Sequence, residues 1–143
     1  MKKISLILIG ISLALSAQAV EPKKVIGFRQ GTFQVIAWNF GTLAAMAKGD
    51  IPYDKAQAEI HANRLVMATE MVKESFIPGT YIGESKANPN IATKESIFNE
   101  RYTALLEATK LLASAAGDLS TLKPQVGKTG GTCKACHDDF KMD

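Results

Sequence analysis

The chain is poor in the features that mark several large protein classes. Two cysteines among 143 residues are too few for a disulfide scaffold. A large excess of charge of one sign is missing as well: 17 Lys and Arg face 14 Asp and Glu, a net charge of +3. That excess is too mild for a nucleic-acid binder. Mean hydropathy is +0.01, which excludes a multi-span membrane protein. There is no internal repeat and no low-complexity tract. After Ala19, no segment combines period-two alternation with hairpin turn residues, so no sheet is expected. What remains is 46% hydrophobic and 22% charged, the composition of an ordinary globular domain. A domain of this size buries roughly two-thirds of the surface of its unfolded chain.

One long apolar run stands at the start. Lys2 and Lys3 precede the stretch Ile4 to Leu15, and Ala17-Gln18-Ala19 has the small-x-small form that a signal peptidase cuts. The run is short for an anchor, since crossing about 30 Å of hydrocarbon takes roughly 20 residues. Residues 1–19 therefore read as a cleaved signal peptide and 20–143 as one domain, exported to a periplasm with no membrane span left. The two lysines leave with the signal, lowering the net charge from +3 to +1. So small a charge gives no strong steering of a highly charged partner.

Four segments of the domain show helical spacing. The first covers about Val25 to Lys48, with Arg29, Phe33, Ile36, Ala37, Phe40, Leu43, Ala44 and Ala47 on one face. Phe28, Val35, Trp38 and Met46 lie on the other, so this helix needs two surfaces to pack against. The second covers about Asp54 to Lys73, and a Gly-, Asn- and Pro-rich loop follows from Pro78 to Thr93. The third covers about Lys94 to Ala116. The fourth covers about Ser120 to Lys141, but Pro124, Gly127, Gly130 and Gly131 oppose it and allow a break before Thr132. Glycines there can also admit a flat ligand close to the backbone. The expected fold is all-α, an antiparallel up-down-up-down four-helix bundle.

The chemistry concentrates near the C-terminus in Cys133-Lys134-Ala135-Cys136-His137. This C-x-x-C-H pattern is that of covalent haem c attachment. On a helix the three side chains fall within an arc of about 100°. Cys133 and Cys136 can then form thioethers with the two haem vinyl groups, while the His137 imidazole reaches the iron from the same side. Three other readings exist: a thioredoxin-like pair, which wants a βαβ context; a zinc site, which wants a fourth ligand; and a plain Cys133–Cys136 disulfide. The adjacent histidine, the export signal and the lack of other cysteines favour one covalent haem c per chain.

A motif so close to the C-terminus of a helical chain resembles the cytochrome c′ family, the class II c-type cytochromes. Further marks are Phe28-Arg29-Gln30, Lys48-Gly49, Pro52-Tyr53-Asp54, Pro78-Gly79-Thr80 and the string Gly131 to Asp138. The resemblance implies His137 as the one protein axial ligand of a five-coordinate, high-spin iron. It implies a distal side closed by a first-helix residue, which by its distance from Arg29-Gln30 is Phe33. Low-spin relatives place Met there as a sixth ligand, and no methionine of this chain matches that position. It also implies Arg29 at a haem propionate, with Gln30 at the haem edge. An arginine on an apolar face needs an anionic partner in any case. Lys141 stands where the family often has arginine near the proximal haem face, and lysine offers only a point charge in place of a bidentate fork. Phe28, Val35, Trp38 and Met46 on the second face of the first helix are expected either inside the monomer or at a two-fold seam; the family is commonly dimeric through its first two helices, which favours a homodimer.

By periodicity alone Phe33 reads as an ordinary core residue; in the distal position that the resemblance gives it, it implies a binder of diatomic gases. Phe33 cannot ligate iron and offers no hydrogen bond, so NO and CO fit and dioxygen lacks a stabilising donor. NO binding or detoxification with associated electron transfer is the expected function, with a redox partner that the sequence does not name. The alternative is a plain electron carrier. A peroxidase-like enzyme is less expected, because the first-helix face offers no distal acid–base pair beside Phe33. His61 reads as a bundle histidine bonded within the core.

Overall fold

A computed structural model describes residues 21–142. The expected signal peptide, residues 1–19, lies outside them. Four helices carry the fold: α1 (Pro22–Lys48), α2 (Lys55–Glu70), α3 (Glu95–Ala115) and α4 (Leu119–Phe140). Each packs on its sequence neighbour and α1 closes the ring against α4, giving the expected antiparallel bundle. No helix among the described residues is long and apolar enough to cross a membrane.

Local signals set most of the boundaries. Pro22 opens α1, where its missing N–H costs nothing. Gly49 stops that helix at φ +87°, donating to the carbonyls of Ala45 and Met46. Asp54 caps α2 by accepting from the Gln57 N–H at 2.8 Å. Asp118 caps α4 by accepting from the Ser120 N–H at 2.7 Å.

Two expectations are corrected here. First, α4 runs unbroken through Pro124 and all three glycines. The carbonyl that Pro124 leaves without a partner belongs to Ser120, which is exposed and can turn to water. Tertiary contacts overrule the poor helix propensity beyond it. The Thr129 hydroxyl donates to Gln125 O at 2.9 Å and reaches Ala108 O of α3 at 3.3 Å. A Cβ on Gly130 would lie 3.5 Å from the Phe40 ring of α1, an ordinary van der Waals contact, so α4 packs on a protein ring at this point. Second, the inner stripe of α1 is rotated from the expected one. Met46 is buried rather than on the outer side, Thr32 and Asn39 are buried with it, and Ala37 is exposed. Phe28, Val35 and Trp38 do face outward, Trp38 at 72% exposure.

The main core is aliphatic: Leu43, Ala58, Ala62, Leu65, Leu112 and Leu122 are almost completely buried. A second, aromatic cluster of Tyr81, Ala87, Ile91, Phe98 and Phe140 lies beneath the α2–α3 connection. That connection holds two short 3-10 turns, Lys73–Ser75 and Pro89–Ala92.

Candidate haem site

The last third of α4 presents the motif. Cys133 and Cys136 are free thiols, both half-buried. Cys136 packs against the aromatic cluster. Burial pushes its pKa up to about 11, with Cys133 and Asp139 adding to the rise. Burial raises Cys133 too. Both are therefore neutral thiols at pH 7. His137 reaches solvent along one side, yet the packed side of α4 desolvates the ring. That burial, and then the Lys141 charge, hold its pKa below the ordinary 6.5, with Asp138 opposing. A neutral imidazole keeps the lone pair that an iron requires.

The surroundings of the motif are tied down by side chains that do not touch the imidazole. Asp139 accepts from Arg101 Nε of α3 at 2.9 Å. Asp138 accepts from Lys134 at 2.5 Å. The end of α4 also pairs with the α2–α3 connection. Asn88 donates its N–H to Phe140 O at 2.8 Å, and Met142 donates to Lys86 O at 2.9 Å. This antiparallel bridge joins Ala87 to Lys141, whose side chain stays exposed.

Arg29 is 5% exposed. Its five N–H donors all have partners inside the protein. Nε and Nη2 donate to Ser75 O at 3.1 and 2.8 Å. Nη2 also donates to Thr80 Oγ1 at 2.5 Å. Nη1 donates to Thr80 O at 3.2 Å and Ser85 Oγ at 2.8 Å. All of these acceptors are neutral, whereas an anionic partner was expected. A guanidinium can be buried this way because each N–H is satisfied by a fixed carbonyl or hydroxyl. The neighbouring Gln30 is exposed and donates to Glu84 O at 3.3 Å.

Phe33 is half-buried and meets the Phe76 ring edge-on, with centroids 6.2 Å apart. Its level in the bundle follows from the contact between Phe40 and Gly130. The two helices run antiparallel with equal rise per residue. Phe33, seven residues before Phe40, then stands level with His137, seven residues after Gly130. The motif histidine and the expected distal residue thus occupy the same layer.

His61 behaves as a bundle histidine, its Nδ1 lying 2.9 Å from Asn39 Oδ1. Three features escaped sequence reasoning: Phe76, the Ser75, Thr80 and Ser85 acceptors of Arg29, and the chain-end bridge. A signal for the second existed. An arginine on an apolar face requires acceptors, and the following loop is rich in Ser, Thr and Gly. Phe76 carried none, because it belongs to neither a periodic helix nor a turn motif.

The donor set fits haem c. It offers two unbridged thiols at i and i+3 with an adjacent neutral imidazole, and it leaves the zinc reading without a fourth ligand. No metal-holding group of three or more His, Cys, Asp or Glu occurs among the described residues. Residues 24–141 match the family model described as Cytochrome C′.

The chain belongs to the cytochrome c′ family.

Proteins of this family carry covalently bound haem c, and Cys133 and Cys136 are the two cysteines available here for it. Cytochrome c′ of Cereibacter sphaeroides is 39% identical, over 99% of each chain. Among solved structures, cytochrome c prime from Shewanella frigidimarina superposes with a TM-score of 0.83. It is 34% identical, covering 88% of this chain and all of that one. A ferrous variant of cytochrome c prime from Alcaligenes xylosoxidans, solved with bound NO, has a TM-score of 0.81 and 31% identity. That match covers 88% of this chain and 99% of the relative.

Proposed function

We propose that the chain is a periplasmic gas-binding cytochrome whose five-coordinate, high-spin iron takes NO and CO at a hindered distal position. NO binding or detoxification is its main role, with electron transfer beside it. When bound, the haem supplies an iron with one open coordination position. Cys133 and Cys136 would hold it covalently, and the neutral His137 would supply a nitrogen ligand to its iron. Arg29, its donors already engaged, acts on a propionate by charge rather than by a free N–H. Gln30 offers the exposed amide at the haem edge, and Lys141 places a single charge on the proximal side. Phe33 crowds the distal side. The observation that carries this reading is Phe33 in the layer of His137, an aromatic ring that neither ligates nor hydrogen-bonds. The NO-bound relative agrees with it. A binder rather than an enzyme is favoured because Arg29, the one cation a turn away, has no free donor for acid–base work.

The test is the visible spectrum of the purified ferrous holoprotein before and after CO. A broad high-spin spectrum that shifts on adding CO is expected. Sharp low-spin bands unmoved by CO would mean a sixth protein ligand, and the plain electron carrier would replace the gas binder.

We further propose export with loss of residues 1–19, and a homodimer through α1 and α2. The outward Phe28, Val35 and Trp38 support that seam, since an exposed tryptophan on an apolar patch gains from a second copy. Native mass spectrometry of protein released from the periplasm reads all three claims together. Two chains that begin at Val20, each with one haem, are expected. Intact residues 1–19, or a single chain at micromolar concentration, would overturn the matching claim.

A further inference from the structure

Among the described residues, Phe76 is the one that packs against both clusters of the core. It leaves the 3-10 turn after α2 and meets three other rings. Phe98 lies 4.7 Å away by centroids, Phe33 6.2 Å away at 87°, and Tyr81 6.3 Å away. Its backbone is pinned from α1. The carbonyl of Ser75, the residue just before it, receives both Nε and Nη2 of Arg29. The same guanidinium carbon stands 4.8 Å from the Phe76 centroid, within cation–π range. The ring is thus held by a cation, by a second aromatic ring and by a fixed main chain. Phe33 is half-buried, as Phe76 is, but Arg29 does not stack on it, and Phe76 is its aromatic partner. Edge-to-face pairs favour one relative orientation of the two rings.

We propose that Phe76, clamped by Arg29, is the positioning residue that fixes the Phe33 ring and so sets access to the distal side. This rests on the Phe33 reading given above. Neither Phe76 nor Arg29 touches an incoming gas. They act by denying Phe33 the rotamers that would open a path.

The test uses ferrous holoprotein and four variants: Phe33→Ala, Phe76→Leu, the double variant, and Arg29→Lys. Leucine at 76 keeps an apolar filler and a folded chain while removing the ring pair. Phe76→Leu should speed CO association by about threefold to tenfold, the range that relief of one rotamer restraint gives. The double variant should match Phe33→Ala, because Phe76 has nothing left to position. A second readout is independent of gas entry: ring-flip line shapes of Phe33 by NMR in the diamagnetic ferrous CO form. Phe76→Leu should move those flips from slow to fast, and Arg29→Lys should shift them the same way by loosening the Ser75 grip. Unchanged ring flips, or rates that multiply in the double variant, would overturn the positioning role. If Phe33→Ala leaves the CO rate unchanged, the distal-gate reading falls, and the access claim with it. If Phe33→Ala is fast and Phe76→Leu is not, only the present inference falls.

Discussion

The two ends of the bundle are built from different materials. At the end where α1 and α3 finish, the core is aliphatic and closed: Leu43, Ala58, Leu112, Ala116 and Leu122 are fully buried. Small residues on facing helices let the backbones approach there, and Tyr53 seals the rim by donating to Ala116 O at 2.8 Å. At the other end the core is aromatic, and the residues packed against it, Phe76 and Cys136, are only half-buried. Phe76, Phe98 and Phe140 form a chain of tilted and edge-on rings, with a half-buried Cys136 against them. A buried arginine and a two-bond chain-end bridge hold that end together in place of aliphatic filling. The contrast divides the labour. Close aliphatic packing gains stability and leaves no space. The aromatic end instead relies on ring pairs and directional polar ties, and it carries the cysteine motif.

The largest effect that would sharpen this contrast is at Leu112. It is completely buried at the aliphatic end. Leu112→Ala should lower the unfolding free energy by about 2–5 kcal/mol, through lost transfer energy and the cavity left behind. Urea denaturation of the holoprotein measures it. The CO association rate should stay within about twofold, since independent sites separate cleanly. A Leu112→Ala protein whose CO rate changes as much as that of Phe76→Leu would show that the two ends are not separate.

The aliphatic end is also the one that a sequence can show. Leu65, Leu105, Leu112 and Leu122 are buried within the expected helices, because burial by one neighbouring helix repeats at 3.6 residues. The motif residues are legible for a related reason: their chemistry requires a fixed local spacing, and α4 supplies it. What lay beyond reach depends on contacts between distant parts of the chain. Arg29 meets residues 75–85 across more than 45 positions, and hydroxyl or carbonyl acceptors leave no periodic trace. Past Gly130, α4 packs against Phe40 of α1, a pairing with no local signal. Met46 was misplaced because α1 packs on both α2 and α4, and two overlapping stripes blur one period.

A smaller effect lies between the two ends. Midway along α1, the buried Asn39 donates its amide N–H to Val35 O at 2.7 Å, which turns Oδ1 toward His61 Nδ1 at 2.9 Å. Nδ1 therefore carries the proton, and the second ring nitrogen is the one that titrates. Burial and the neighbouring Arg64 hold the His61 pKa below 6.5. As pH falls through that region the unfolded chain takes up a proton that the folded chain resists. Stability therefore declines on acidification and is fully present above about pH 6.5. His61→Gln keeps an N–H donor and removes the titration. Its stability relative to the parent should rise as pH drops from 8 to 5, measured on holoproteins so that the other carboxylates and His137 cancel. The CO rate should not follow, because the titrating ring faces neither Phe33 nor Phe76. Parallel stability curves would remove His61 as the source of the acid slope. A CO rate that tracked the curve would mean that this midpoint contact couples the aliphatic end to the aromatic one.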